Sequence, residues 1–270
     1  MANNPAGRLH EIFQAMMNVS DNKLQEPAYD IFREILCPTE HRADVVLPRI
    51  VRVLELPGVV TRKSEKMQGI NSLQYLSWTS AVTQVFNTRN FGDPFKRFID
   101  VIDRNTMSLL GFCDELLSSH APEPTVAQEV IDRMRAELEV FSREVRGADL
   151  DPQLSEYILH YIDLIDRALI DYRIMGIEAI RTGVDAAGGF VFTRKSAVQQ
   201  VMQSEFKTKF AAAFVGLMIL CQGYSGAKEM LSDAKRLLPE FAEEAEVELK
   251  QDKQLPAATL PVEVKTTETT

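Results

Sequence analysis

The chain has 270 residues, 45% of them hydrophobic, and its 39 acidic residues outnumber its 30 lysines and arginines. This length allows one large core or two smaller ones, and the acidic balance argues against broad, non-specific binding to nucleic acid. Its three cysteines, Cys37, Cys113 and Cys221, are far apart and odd in number, so their spacing gives neither a disulfide framework nor a metal knuckle. We expect buried, reduced thiols, and a cytoplasmic location because the N-terminus lacks a basic-then-apolar signal pattern.

The N-terminal part of the chain predicts three amphipathic helices. Apolar residues recur at helical spacing over residues 9–16 and over 29–36, where the stripe stops before a proline. A third stripe covers 46–54. Because proline lacks the backbone N–H donor, we expect Pro48 to interrupt this helix and Pro57-Gly58 to end it.

Longer helices are predicted in the middle of the chain. The helical period continues over 64–87. Asp93-Pro94 then supplies an N-cap and a first-turn proline for a helix that runs through 98–116. Asp151-Pro152 repeats this start and opens the longest regular stretch, which extends towards Ile180.

Four short motifs predict caps, turns and loops. Thr125-x-x-Gln128 matches a capping box at the start of a helix. The glycines of 183–189 predict a flexible loop, and 190–192 reads as a short strand before the next helix. Gly223-Tyr224-Ser225-Gly226 predicts a helix-breaking turn capped by serine, and not a nucleophile elbow, because no histidine follows it to act as base.

These elements predict an all-α fold class, since no segment sustains period-two alternation. We expect a multi-helix bundle of roughly eight to ten helices. Prolines near residue 122 divide it into an N-terminal helical subdomain, 1–121, and a C-terminal helical subdomain, 122–250, packed against the first. Residues 251–270 are polar and interrupted by proline, which predicts a disordered tail.

The closest internal repeat is the heptad FIDVIDR at 98–104, which returns as YIDLIDR at 161–167. On a helical wheel at about 100° per residue, the aspartates of each copy face one side and the apolar residues face the other. This division favours two solvated helix faces. The alternative is a Mg²⁺ site for a diphosphate substrate, because hard cations prefer carboxylate oxygens. Its ligands would be Asp100, Asp103, Asp163 and Asp166.

The most apolar run is FAAAFVGLMILC at 210–221. Its 12 residues fall short of the roughly 20 that a membrane-spanning helix needs. A helix buried on most faces in the core is therefore favoured, with a partner-binding face or an insertion into a membrane surface as alternatives. In either alternative the contact residues would be Phe210, Phe214, Leu217 and Met218.

The motifs together favour a non-enzymatic protein that acts by protein–protein interaction in a regulatory, adaptor or accessory role. The expected partners are another protein or a second copy of this chain, without nucleic acid and without a cofactor. Two alternatives stay open. One is a Mg²⁺-dependent helical enzyme that uses the two Asp-x-x-Asp segments, and the other is a membrane-responsive effector that uses the apolar helix at 206–221.

Overall fold

The computed structural model describes residues 4–38, 42–67 and 75–251, of which 222–231, 233, 234, 237, 249 and 251 are described by their backbone alone. These residues form twelve α-helices and no β-strand. The all-α prediction is confirmed for this part of the chain, and the helix count exceeds the predicted eight to ten. The predicted tail lies outside the described residues except for Gln251, and so do residues 68–74 of the predicted helical stretch 64–87.

Six of the twelve described helices precede residue 121 in the chain, and six follow it. The first six are α1 (Pro5–Met17), α2 (Ala28–Leu36), α3 (Ala43–Glu65), α4 (Thr79–Val85), α5 (Lys96–Ile99) and α6 (Arg104–His120). The remaining six are α7 (Gln128–Gly147), α8 (Pro152–Met175), α9 (Ile177–Thr193), α10 (Lys195–Met202), α11 (Lys207–Leu237) and α12 (Pro239–Gln251).

The helices form two compact units. The first unit is Met1–Glu123 with Arg173–Gly176, and the second unit is Pro124–Tyr172 with Ile177–Thr270. Each has its own buried apolar cluster. The predicted subdomains, 1–121 and 122–250, stay a prediction, because a compact unit of contacts need not fold independently.

Aromatic rings fill the core of the first unit. The ring of Phe32 on α2 lies edge-on to Phe95 and Phe98, with centroids 5.9 and 5.3 Å away. Phe13 on α1 lies 5.2 Å from Phe86 in the same core. All five rings are buried, and edge-on pairs of this kind add to the free energy gained from burial alone. The amphipathic helices predicted at 9–16 and 29–36 are thus confirmed.

Helix α3 continues through both of its prolines, which corrects the predicted interruption and end. Pro57 is buried with Leu56 and Val60 on the face that packs into the core. A proline inside a helix costs about 3 kcal/mol, and burial of several apolar side chains, at about 1.5–3 kcal/mol each, offsets that cost. Thr61 also donates its hydroxyl to the carbonyl of Pro57 at 2.9 Å.

Helix α8 ends before Gly176, and the predicted extension towards Ile180 is wrong. Gly176 has φ +63°, a left-handed conformation that ends helices and suits glycine. The buried Arg8 side chain donates to the carbonyls of the last two residues of α8, at 3.0 and 3.2 Å, and pairs with Glu123 at 2.7 Å. A Cβ on residue 176 would lie 2.4 Å from the Arg8 guanidinium, so only glycine fits.

The second unit is built around α8 and α11. Tyr161 stacks on Phe210 with centroids 4.0 Å apart, and its hydroxyl donates to the Phe210 carbonyl at 3.2 Å. The start of α8 confirms the prediction, because Asp151 Oδ1 accepts the backbone N–H groups of Gln153 and Leu154 at 2.9 and 3.2 Å. This satisfies two of the donors that a helix N-terminus leaves unpaired.

The predicted loop at 183–189 and strand at 190–192 are wrong, because both lie inside α9. The reason is close packing. A Cβ on Gly183 would lie 2.3 Å from the Cβ of Ala168 on α8, so a glycine that weakens the helix locally lets two helices touch.

Two further local predictions are corrected by the backbone. Residues 223–226 continue α11 without a turn. Helix α7 starts after Ala127 without a side-chain cap, so Thr125 does not form the predicted capping box. The helical residues on both sides of 223–226 favour continuation of α11 over a turn.

Candidate functional site

The two copies of the repeated heptad have different structures. In 161–167 all seven residues lie in α8. In 98–104 the helix α5 ends at Ile99, and Asp103 turns extended and caps α6 by accepting the N–H of Thr106 at 2.6 Å. The single helix predicted through 98–116 is therefore wrong, and its start is at Lys96 instead of Asp93-Pro94.

One side chain beyond the heptad differs between the two copies and favours the break in the first. Thr106 donates its hydroxyl to the Val101 carbonyl at 3.2 Å and so supports the break between the helices. The equivalent position after the second copy is Leu169, which has no such donor and is buried in the core of the second unit. The two similar heptads thus fold differently, and the residue at the position of Thr106 and Leu169 is one neighbour that differs between them.

Each candidate aspartate has a partner within its own unit. Asp100 pairs with Lys96, and the Thr106 N–H that Asp103 accepts lowers the pKa of that carboxyl. In the second unit, Asp163 pairs with Arg167 at 2.8 Å and Asp166 with Arg135 at 2.9 Å. Among the described residues, no three histidine, cysteine, aspartate or glutamate side chains converge on a possible metal position. Neither copy, taken in its own unit, assembles the geometry that the magnesium hypothesis needs.

The four predicted contact residues of the apolar run lie in the core of the second unit. Phe210, Phe214, Leu217 and Met218 are at most 2% exposed. The favoured interpretation, a core helix, fits this burial. Contact of these four side chains with a partner or a membrane would first require the helix to leave the core.

The opposite face of α11 lines an open groove, which was not predicted from the sequence. The groove lies between α7 and α11, has a volume of about 770 Å³, and is lined mainly by apolar side chains. Those from α7 are Val130, Met134, Ala136, Leu138, Val140 and Phe141, and those from α11 are Ala212, Ala213, Val215, Gly216, Ile219 and Leu220. This lining identifies the candidate site, which we call the α7–α11 groove.

A sequence signal for this groove exists. Positions 212, 213, 216, 219 and 220 repeat at helical spacing, as do the buried positions of the same helix. Such a helix has two apolar faces, and only one of them packs into the core here. The small residues of the second face let α7 come close, since a Cβ on Gly216 would lie 3.0 Å from the Met134 methyl.

The charges of the groove lining balance. Arg133 and Glu137 lie on α7, Lys209 at the start of α11 and Glu248 on α12. Lys209 also pairs with Glu144 beside the groove. Two cations and two anions give no net attraction for an ion, so the groove favours an apolar ligand with a polar rim.

A second groove, of about 650 Å³, lies in the first unit between α1 and α6. It is more polar, with His10, Arg104, Asp114 and Glu115 among its lining residues. Asp114 already accepts the side-chain amide of Asn4 at 2.6 Å. This groove therefore offers less uncovered apolar surface than the α7–α11 groove.

The fold and this site define an all-helical protein with an open apolar groove. Comparison with known proteins gives no match to a family model, to a curated protein or to a solved structure. None of the helices in the described residues has the length and apolar character that crossing a membrane requires.

Proposed function

We propose that this protein is a non-catalytic binding protein whose α7–α11 groove takes the apolar face of an α-helix from another protein. The observation that carries the proposal is the apolar lining of the groove, which is exposed or partly exposed except at Leu138, Phe141 and Val215. From Val130 to Phe141, α7 rises about 16 Å, or roughly three turns. A bound helix presents apolar side chains at i, i+4, i+7 and i+11 over that distance.

Covering this groove is favourable on physical grounds. Burial of apolar surface contributes about 25 cal/mol per Å², and the half-exposed Val140 at the groove edge is 43% accessible. The balanced rim charges allow helices of either net charge to approach. Affinity would then depend on shape and apolar contact, as in helix-in-groove complexes. A regulatory, adaptor or accessory role fits such binding.

The test uses a display library of 16-residue helix-forming peptides, selected on the immobilised full-length protein. Selected peptides should carry an apolar stripe at helical spacing. Their binding should fall at least about 10-fold on Ala213→Glu and on Ala136→Glu, because each variant places a carboxylate in the apolar groove, at a cost above about 1.4 kcal/mol. Ala136 is exposed, so its substitution leaves the core intact.

The matched control is Ala186→Glu. Ala186 is also exposed on a helix of the second unit, and it is not part of the groove lining. Circular dichroism checks that all three variants are folded. The proposal fails if the library yields no binder, or if the selected peptides bind the groove variants as tightly as they bind the control.

The described contacts support neither the magnesium-dependent enzyme nor the membrane-responsive effector. The carboxylates of the magnesium hypothesis are engaged with Lys96, Thr106, Arg135 and Arg167. The apolar residues of the membrane hypothesis are buried. The groove is the feature whose lining lacks a covering element in the described residues.

A further inference from the structure

Helix α12 leads the chain out of the described residues beside the α7–α11 groove. Glu248 on α12 is part of the groove lining, and Gln251 ends the helix three residues later. The chain continues for 19 residues, 252–270. An extended chain spans up to about 3.3–3.6 Å per residue, so residue 255 is within about 14 Å of the helix end.

The residues that follow include one apolar stretch. Residues 255–264 read LPAATLPVEV, with a single charge, whereas 265–270 read KTTETT. This sequence contains two prolines, and proline-containing segments bind grooves in a polyproline conformation that spans about 3.1 Å per residue. Ten residues then cover about 31 Å, which exceeds the roughly 16 Å that the α7 side of the groove spans.

We infer that residues 255–264 of this chain bind the α7–α11 groove in cis and compete with the helix of another protein. This inference rests on the groove being a binding site, as proposed above. Attachment to α12 gives the segment a local concentration in the millimolar range, so a weak intrinsic affinity is enough for occupancy. The polar residues 265–270 need no burial.

The contact is tested by photo-crosslinking in the full chain. Val262 is replaced by the photoreactive amino acid p-benzoylphenylalanine, and the control carries the same group in place of Thr269. Adducts from position 262 are expected on residues 130–141 or 212–220, within the monomer band of a denaturing gel. Adducts elsewhere, or a yield no higher than that from position 269, would overturn the inference. Adducts confined to a dimer band would also overturn it, since the occupant would then be a second copy.

Competition is tested with the peptides selected on the same protein. In the full chain, Leu260→Asp with Val262→Asp should strengthen peptide binding about 10-fold, the factor expected when a segment with a Kd near 0.1 mM competes at about 1 mM. Unchanged peptide binding in this variant contradicts the inference. The control, Thr267→Asp with Thr269→Asp, adds the same charge to the tail outside 255–264 and should leave binding unchanged.

The two proposals fail in different ways. The cis segment is rejected, and the proposed function stands, if peptide binding depends on Ala136 and Ala213 while position 262 gives no crosslink to the groove. Tail substitution would then leave peptide affinity unchanged. Peptide binding that ignores Ala136→Glu and Ala213→Glu rejects the proposed function, whatever the crosslinks show.

Discussion

Replacing Gly183 by alanine tests the contact between α8 and α9. The new Cβ would lie 2.3 Å from the Cβ of Ala168, whereas carbon atoms pack at about 3.5–4.0 Å. Neither methyl group can rotate away, so the two helices must separate by roughly 1.5 Å. Overpacking of this kind costs about 1–3 kcal/mol, and the rigid backbone attachment on both sides places the cost near the upper end.

The helix propensity of alanine acts in the opposite direction. Alanine is favoured over glycine by about 1 kcal/mol inside a helix. The net expectation for Gly183→Ala is therefore a loss of about 1–2 kcal/mol in the free energy of unfolding. Gly189 is the matched control, because it lies in the same helix and a Cβ there meets no atom within 4 Å. Gly189→Ala should stabilise the protein by about 0.5–1 kcal/mol.

Urea unfolding followed by circular dichroism measures both changes, and thermal unfolding should show opposite shifts of Tm in the two variants. The double variant Ala168→Gly with Gly183→Ala has one methyl group at this contact, as the parent does. Its stability should therefore return to within about 1 kcal/mol of the parent. A Gly183→Ala variant as stable as Gly189→Ala would refute the close packing that we infer between α8 and α9.

Three further predictions concern the buried tyrosines, the Asp103 cap and Pro48. Tyr157→Phe should leave stability unchanged or raise it, because the buried Tyr157 hydroxyl has no hydrogen-bond partner in the described residues. Tyr161→Phe should cost about 0.5–1.5 kcal/mol in urea unfolding, because it removes the hydrogen bond to the Phe210 carbonyl. Burial raises the pKa of both phenols, so the unfolded state ionises first as pH rises above about 10. Stability should therefore fall above that pH, and each substitution should reduce the fall. Asp103→Ala should cost about 0.5–2 kcal/mol through the lost cap, more than Asp166→Ala, which removes only a partly exposed ion pair. Because the Thr106 N–H lowers the pKa of Asp103, the difference between the two variants should vanish as pH falls through that lowered pKa. Pro48→Ala should stabilise the protein by about 1–3 kcal/mol in thermal unfolding, since Pro48 is exposed inside α3. A loss of stability would show that the helix does not run through Pro48.

Sequence patterns predicted the elements in which local signals and burial agree. The stripe at 9–16 and the Asp151 cap of α8 are such cases, because the same residues that favour a helix also face the core or satisfy its terminus. The predictions failed where packing overrides local preference. Pro57 lies inside α3 with its ring buried, and Gly183 lies inside α9 against a neighbouring helix. Gly183 meets Ala168 on another helix, and the burial of Pro57 depends on the folded core, so no local sequence pattern contains either feature.

The position of the α7–α11 groove also depends on contacts that no local sequence pattern contains. Its position depends on which face of α11 packs into the core and on how closely α7 approaches, and both depend on contacts such as that between Gly216 and Met134. The sequence did indicate that α11 is apolar beyond one stripe. A helix of that kind is stable when both faces are covered. Phe210 and Leu217 are covered by the core, whereas Ala213 and Ile219 face a groove of about 770 Å³. The second face of α11 is therefore only partly covered by the described helices, and the proposed ligand would cover the rest of it.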